Sequence, residues 1–281
     1  MEFKDHTDLY FKRMDASVEV KTEMLDFLQA GDVAELGPGS GSLTEVIANR
    51  SDVDSVLAID ASAEALLKLS DRFGGNTKVV LSEKLLGSDL DPFGDGKFDT
   101  ILASSVFHEV YSFLGKQGLE SIAGDIEIAL KPGGRFILRD GVRPDNYQRV
   151  ARMTVAPRLL KLAQRYCREA PLRLRPTMIG NVARGNRHQI AEMAFTITWG
   201  EQSFDREVTE QYQIYDKDSA INFYGRFGLD IVHAETFIQE GYKSNLSDCP
   251  MESRTEDGLE WESWFPDTNA IWVFKKWSPD D

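Results

Sequence analysis

From residue 31 to 140 the chain alternates short, continuously apolar runs with stretches whose apolar residues recur at helical spacing. Residues 32–36, 55–59, 77–81, 98–103 and 135–138 read as five strands. Leu43, Val46 and Ile47 mark one helical face and Ala65, Leu66 and Leu69 another, the second begun by Ser62 as N-cap with Glu64 in its first turn. A third helix is expected over 118–130, stopped by Lys131-Pro132-Gly133-Gly134. Strands apolar on both faces and separated by helices imply a mainly parallel sheet covered on each side. Right-handed crossovers turn that pattern into a doubly wound α/β sandwich.

Beyond Asp140 the rhythm changes. Residues 146–169 read as a helix broken at Pro157, 193–199 alternate like a half-buried strand, and 218–227 read as a helix stopped by Gly228. Residues 229–237 and 270–277 supply two further strands, closing a seven-stranded sheet, while 245–267 is polar, acidic and read as loop. The expected organisation is an N-terminal helical lid over 1–30, carrying Phe3, Tyr10 and Phe11, and an α/β core over 31–142. A basic helical insertion over 143–215 covers the ligand edge of the sheet, and 216–281 forms the closing helix and strands.

Composition narrows the class. With 42% hydrophobic and 28% charged residues in 281, a globular fold is affordable, and disordered or fibrous architectures are excluded. No apolar run approaches the ~18 residues of a membrane span, and the first six residues are polar, unlike a signal peptide. Two cysteines, Cys167 and Cys249, fit a reducing compartment, so a cytoplasmic protein without a membrane partner is expected. They and the four histidines show no zinc spacing, and no metal is expected. The net charge of −14 disfavours a general nucleic-acid coat. Eleven basic residues between Arg143 and Arg187 face only two acids, however, which leaves +9 there and −23 elsewhere. That block reads either as solvated helix faces or as a patch recruiting an anionic acceptor.

The first strand ends in Glu35-Leu36-Gly37-Pro38-Gly39-Ser40-Gly41, and the second ends at Asp60. Alternate glycines permit positive φ and close backbone approach. A carboxylate at the next strand end can accept both hydroxyls of a ribose, so strand, glycine turn, helix, strand and acid together point to a nucleoside-bearing ligand. The dinucleotide fingerprint expects glycine where Ser42 stands. The segment 34–42 instead resembles motif I of the class I S-adenosylmethionine-dependent methyltransferases. Val56-Leu57-Ala58-Ile59-Asp60 resembles their second motif, 98–105 their fourth-strand motif, and 130–135 the turn before their fifth strand.

The resemblance covers about residues 30–140 well and 217–277 loosely. It implies a Rossmann-like fold with S-adenosyl-L-methionine as cofactor. Gly37, Gly39 and Gly41 would run against the cofactor, Asp60 would take the ribose, and Glu35 would orient the ammonium group. Glu83 would stand in at the adenine edge, and Ser104 would line the cleft near the sulfonium. Methyl transfer to a hydroxyl needs a base, and His108, following strand four, is the candidate, with Glu109 beside it and Asp140 placed to orient a base or bind the acceptor. A small-molecule acceptor leads. Methylation of RNA or a phosphorylated nucleotide through 143–187, a non-catalytic binding protein on the same scaffold, and a nicotinamide dehydrogenase stay open.

Overall fold

The computed structural model describes residues 21–88 and 93–279. Residues 1–20 of the expected lid, with its aromatics Phe3, Tyr10 and Phe11, lie outside them, and the described part of that segment carries a 3-10 turn at Glu23–Phe27. In chain order the core elements are β1 (Gly31–Leu36), α1 (Ser42–Ala48), β2 (Val53–Asp60), α2 (Ala63–Phe73), β3 (Val79–Glu83) and β4 (Phe98–Ser104). They continue with α3 (Phe107–Ala129), β5 (Leu130–Gly141), β6 (Val150–Thr154), α4 (Leu160–Glu169), β7 (Thr177–Ile179), β8 (Val182–Asn186) and α5 (Arg187–Thr198). The chain closes with α6 (Phe204–Glu207), α7 (Lys217–Gly225), β9 (Leu229–Phe237), α8 (Glu240–Asn245), β10 (Met251–Arg254), β11 (Trp261–Ser263) and β12 (Asn269–Lys276).

Seven strands form one sheet in the order β3-β2-β1-β4-β5-β12-β9, and β3 to β5 pair in parallel. Because the order turns back between β1 and β4, the crevice outside their carboxyl ends is the topological switch point. Both faces are buried. Val33, Leu36, Val56, Ile59, Ile101 and Leu102 exclude solvent, and Phe107, Phe136, Tyr224 and Phe274 pack ring against ring.

The chain divides into two compact units, one built from residues up to Asp140 with Asp218–Glu235 and the residues from Ile271, the other from Gly141–Lys217 and Thr236–Ala270. The second has its own core, centred on Met153, Tyr166, Met193, Phe195 and Phe204. Helices make up only part of it. An antiparallel sheet ordered β11-β10-β6-β8-β7 makes up the rest, and the local pattern did not announce it.

Three local expectations are corrected there. Residues 150–154 are a strand, because β6 finds partners in β8 and in β10, about a hundred residues away. Residues 251–254 and 261–263, expected as loop, are the strands that complete it. Residues 193–199, expected as strand, are mostly the end of α5. Asn186 caps that helix and Gln189 returns the bond in a capping box, while Thr196 and Thr198 donate their hydroxyls to the carbonyls of Glu192 and Phe195. The helix is buried on nearly every side, so its polar face, and with it the 3.6-residue signal, is missing. In the first unit α3 begins at Phe107 rather than near 118, with a non-helical residue at Gly115.

Candidate active site

The β1–α1 turn holds Gly37, Gly39 and Gly41 at φ of 68°, 56° and 78°, a region that L side chains rarely adopt. Two of these glycines also answer to the protein itself. A Cβ at Gly37 would stand 2.6 Å from Val106, and one at Gly41 would stand 2.5 Å from Leu69. The turn is thereby clamped between the β4–α3 junction and α2.

Asp60 closes the turn from the next strand. Its Oδ2 accepts the Gly39 N–H at 3.1 Å and its Oδ1 the Ser62 N–H at 2.9 Å. Ser62 begins α2 as expected, its hydroxyl accepting from Ala65. Two amides fix the carboxylate plane but leave lone pairs for hydroxyl donors. Burial raises the pKa of Asp60 above its ordinary value against these two bonds, and the charge of Glu109 raises it further. Glu109 therefore stands close enough to the crevice to be felt there. Glu83 is level with Asp60 in the β2–β3 register and is exposed.

Glu35 lies buried at the end of β1 and accepts a 2.6 Å bond from Thr44 Oγ1. Burial pushes its pKa up to about 7, although Thr44 and the Lys21 ammonium draw it down; Asp60 adds to the rise. An acid held in this state is suited to a cationic neighbour, which would favour its charged form. Thr44, Lys21 and the Ser62 amide were not among the expected site residues. Only Ser62 had a local signal, as the N-cap.

On the other side of the switch point, Ser104 ends β4 with a buried hydroxyl that has no hydrogen-bond partner among the described residues. Ser105 follows at φ 59° and donates its N–H to the Arg139 carbonyl at 2.8 Å. The turn delivers α3 with Val106 as an N-cap that contributes no side-chain bond. Asp140, from the end of β5, does that work. Its Oδ2 accepts the N–H groups of Phe107 and His108 at 3.0 and 3.1 Å, while its Oδ1 meets His108 Nδ1 at 2.8 Å. Both side chains are buried. With a carboxylate on Nδ1, that nitrogen carries the hydrogen and Nε2 is left to accept a proton. A carboxylate oxygen of Glu109 lies within 4.8 Å of a His108 ring nitrogen. Sequence position suggested the three residues; only the β4–β5 register, Ser104 opposite Arg139, brings Asp140 to the start of α3.

The residues at β1, β2 and β4 fit S-adenosylmethionine. The glycine turn is rigid, Asp60 presents an oriented carboxylate, Glu35 is a buried acid suited to a cation, and Ser104 holds an unspent hydroxyl.

The basic block has another arrangement. Arg143 pairs with Asp216, Arg149 and Arg187 with Glu262, Arg152 with Glu252, and Arg158 with Asp248. Lys161 pairs with Glu201, and Arg165 with both Glu169 and Asp205. The second unit as a whole has fifteen Lys and Arg against sixteen Asp and Glu, a net −1, and the remainder of the chain carries −13. Seven of the eleven cations of the linear block thus pair with acids, most of them from 201–262.

Residues 34–136 match a family model described as a methyltransferase domain. An uncharacterised methyltransferase of Synechocystis is 34% identical over 119 residues, 41% of this chain and 49% of that protein, so the match spans about half of the relative's length. The fold is shared with a solved S-adenosylmethionine-dependent methyltransferase from Mesorhizobium loti, at TM-score 0.56 and 15% identity over 94% of this chain and 100% of that one. It is shared equally with one from Methanosarcina mazei, at TM-score 0.53 and 13% identity over 91% and 97%. Among the described residues no helix is long and apolar enough to cross a membrane.

Proposed function

We propose that residues 34–136, which match a methyltransferase-domain model, form a class I S-adenosylmethionine-dependent methyltransferase domain, and that the protein methylates a small organic acceptor with His108 as general base. S-adenosylmethionine, when bound, supplies an electrophilic methyl group on a positively charged sulfur. Gly37, Gly39 and Gly41 would shape the turn that holds it, Asp60 would accept its ribose hydroxyls, and Glu35 would face its ammonium group. Glu83 borders the adenine side, and Ser104 offers its hydroxyl near the sulfur.

The observation that carries the reading is the buried 2.8 Å contact between His108 Nδ1 and Asp140 Oδ1. Asp140 fixes the imidazole tautomer and stabilises the charge that forms as Nε2 takes the acceptor's proton. The acceptor's lone pair is then free for the methyl carbon. General base catalysis of this kind contributes about 10²–10⁴-fold.

The ion pairs of the basic block support a small acceptor over RNA or a phosphorylated nucleotide, because cations already paired release few counterions to phosphate. The dyad likewise supports an enzyme over a non-catalytic scaffold, which has no use for an oriented base. His108→Ala, assayed with labelled methyl donor against an acceptor panel, should lower kcat by about 10²–10⁴-fold while the Kd of S-adenosylhomocysteine holds. Asp140→Asn should lower kcat less and move the acid limb of its pH profile. Unchanged turnover in His108→Ala at every pH removes the base.

A further inference from the structure

The second unit contains a polar group that this reading leaves unused. Gln213 is fully buried, and neither its Oε1 nor its Nε2 has a hydrogen-bond partner among the described residues. A carboxamide brings two donors and an acceptor with two lone pairs, and interiors rarely leave such groups unpaired without a reason.

The segment is not slack. Glu192, buried on α5, accepts the Gln213 N–H at 2.7 Å and the Tyr212 N–H at 3.1 Å, and its carboxylate also meets His188 Nε2 at 3.2 Å. The Gln211 side-chain amide donates to the Gln213 carbonyl at 3.4 Å. The capping box at Asn186 and Gln189 fixes the start of the helix that bears Glu192. Backbone and helix thus hold Gln213 in place while its own hydrogen-bonding capacity stays unspent, an arrangement that a preorganised recognition residue needs.

The surroundings select the ligand's charge. Glu192, Glu207 and Glu210 are all buried in the same unit, Glu207 taking the Tyr212 hydroxyl and the Arg206 guanidinium. Buried carboxylates repel a carboxylate or phosphate and tolerate a neutral donor. We infer that Gln213 is a ligand-recognition residue of the second unit, and that its ligand is a neutral molecule with an amide-like edge, one N–H beside one carbonyl.

The test uses the full chain with nicotinamide, 2-pyridone and uracil as probes and benzoate as the anionic control, read by saturation-transfer NMR and calorimetry. The wild type should bind at least one amide-edge probe and discriminate against benzoate. Gln213→Leu should weaken that probe at least tenfold, leave the Kd of S-adenosylhomocysteine within twofold, and melt no lower than the wild type, since it removes an unpaired group. Wild-type silence to all three probes, preference for benzoate, or equal probe binding by Gln213→Leu overturns the inference. So does a melting point more than five degrees lower in both Gln213→Leu and Gln213→Met, which would assign the carboxamide to the fold. If the probes behave as expected but S-adenosylhomocysteine fails to bind, the methyl-transfer reading falls and the Gln213 site stands.

Discussion

In the first unit the acids at the crevice are buried or half-buried and answer to backbone amides and hydroxyls: Asp60 to Gly39 and Ser62, Asp140 to Phe107 and His108, Glu35 to Thr44. In the second, cations and carboxylates answer to one another, as Lys161 does to Glu201 and Arg158 to Asp248. Backbone donors are fixed by the fold and hold a carboxylate in one plane ready for a ligand. Exposed ion pairs saturate each other and leave little for a partner. A high local charge in the sequence is therefore a poor guide to a binding surface, whereas a single acid at a strand end is a good one.

The contrast breaks most readily at Asp60. Asp60→Ala removes a carboxylate that the ribose would use and strands two amides. At about 1.5–3 kcal/mol for each of two hydrogen bonds to a charged group, the Kd of S-adenosylhomocysteine should rise by about two to four orders of magnitude. An unaltered Kd by calorimetry would erase the distinction at its strongest point.

Glu35 sharpens the contrast through pH. Its pKa rises from 4.5 to about 7 in the folded protein, so the folded state binds more protons between those values and stability falls as pH rises through them. Below pH 4.5 the acid is neutral in both states and Glu35→Gln should match the wild type. Above pH 7 the variant should be the more stable by roughly 3 kcal/mol, from about 1.4 kcal/mol per unit. Denaturant melts at pH 4.5 and 8 in the absence of cofactor check this; a constant difference would mean that Glu35 is not desolvated.

The smallest effects belong to the second unit. Lys161→Ala and Arg158→Ala should each leave the melting temperature within about one degree and acceptor turnover at wild-type level. A large loss of turnover in either would restore the basic block as an anion site.

Much of the first unit is legible in the chain because its signals are local. Continuous apolar runs mark strands buried on both faces, Ser62 marks a helix start, and glycines at 37, 39 and 41 mark a turn of positive φ. The second unit resists the same reading. Residues 150–154 are a strand only because 182–186 and 251–253 come alongside, and α5 hides its period by being buried almost all round.

By itself, then, the sequence determined the doubly wound core, the glycine turn and its acid at 60, and the presence of a histidine after strand four. Tertiary structure alone decided that Asp140 reaches His108, that Glu35 is deprived of water beside Thr44, that most cations of 143–187 are met by acids up to residue 262, and that the Gln213 side chain is buried without a hydrogen-bond partner among the described residues. The division has one physical cause. Strand, helix and turn propensities act over a few residues, while hydrogen bonds, ion pairs and desolvation depend on which distant segments the packed sheets bring together.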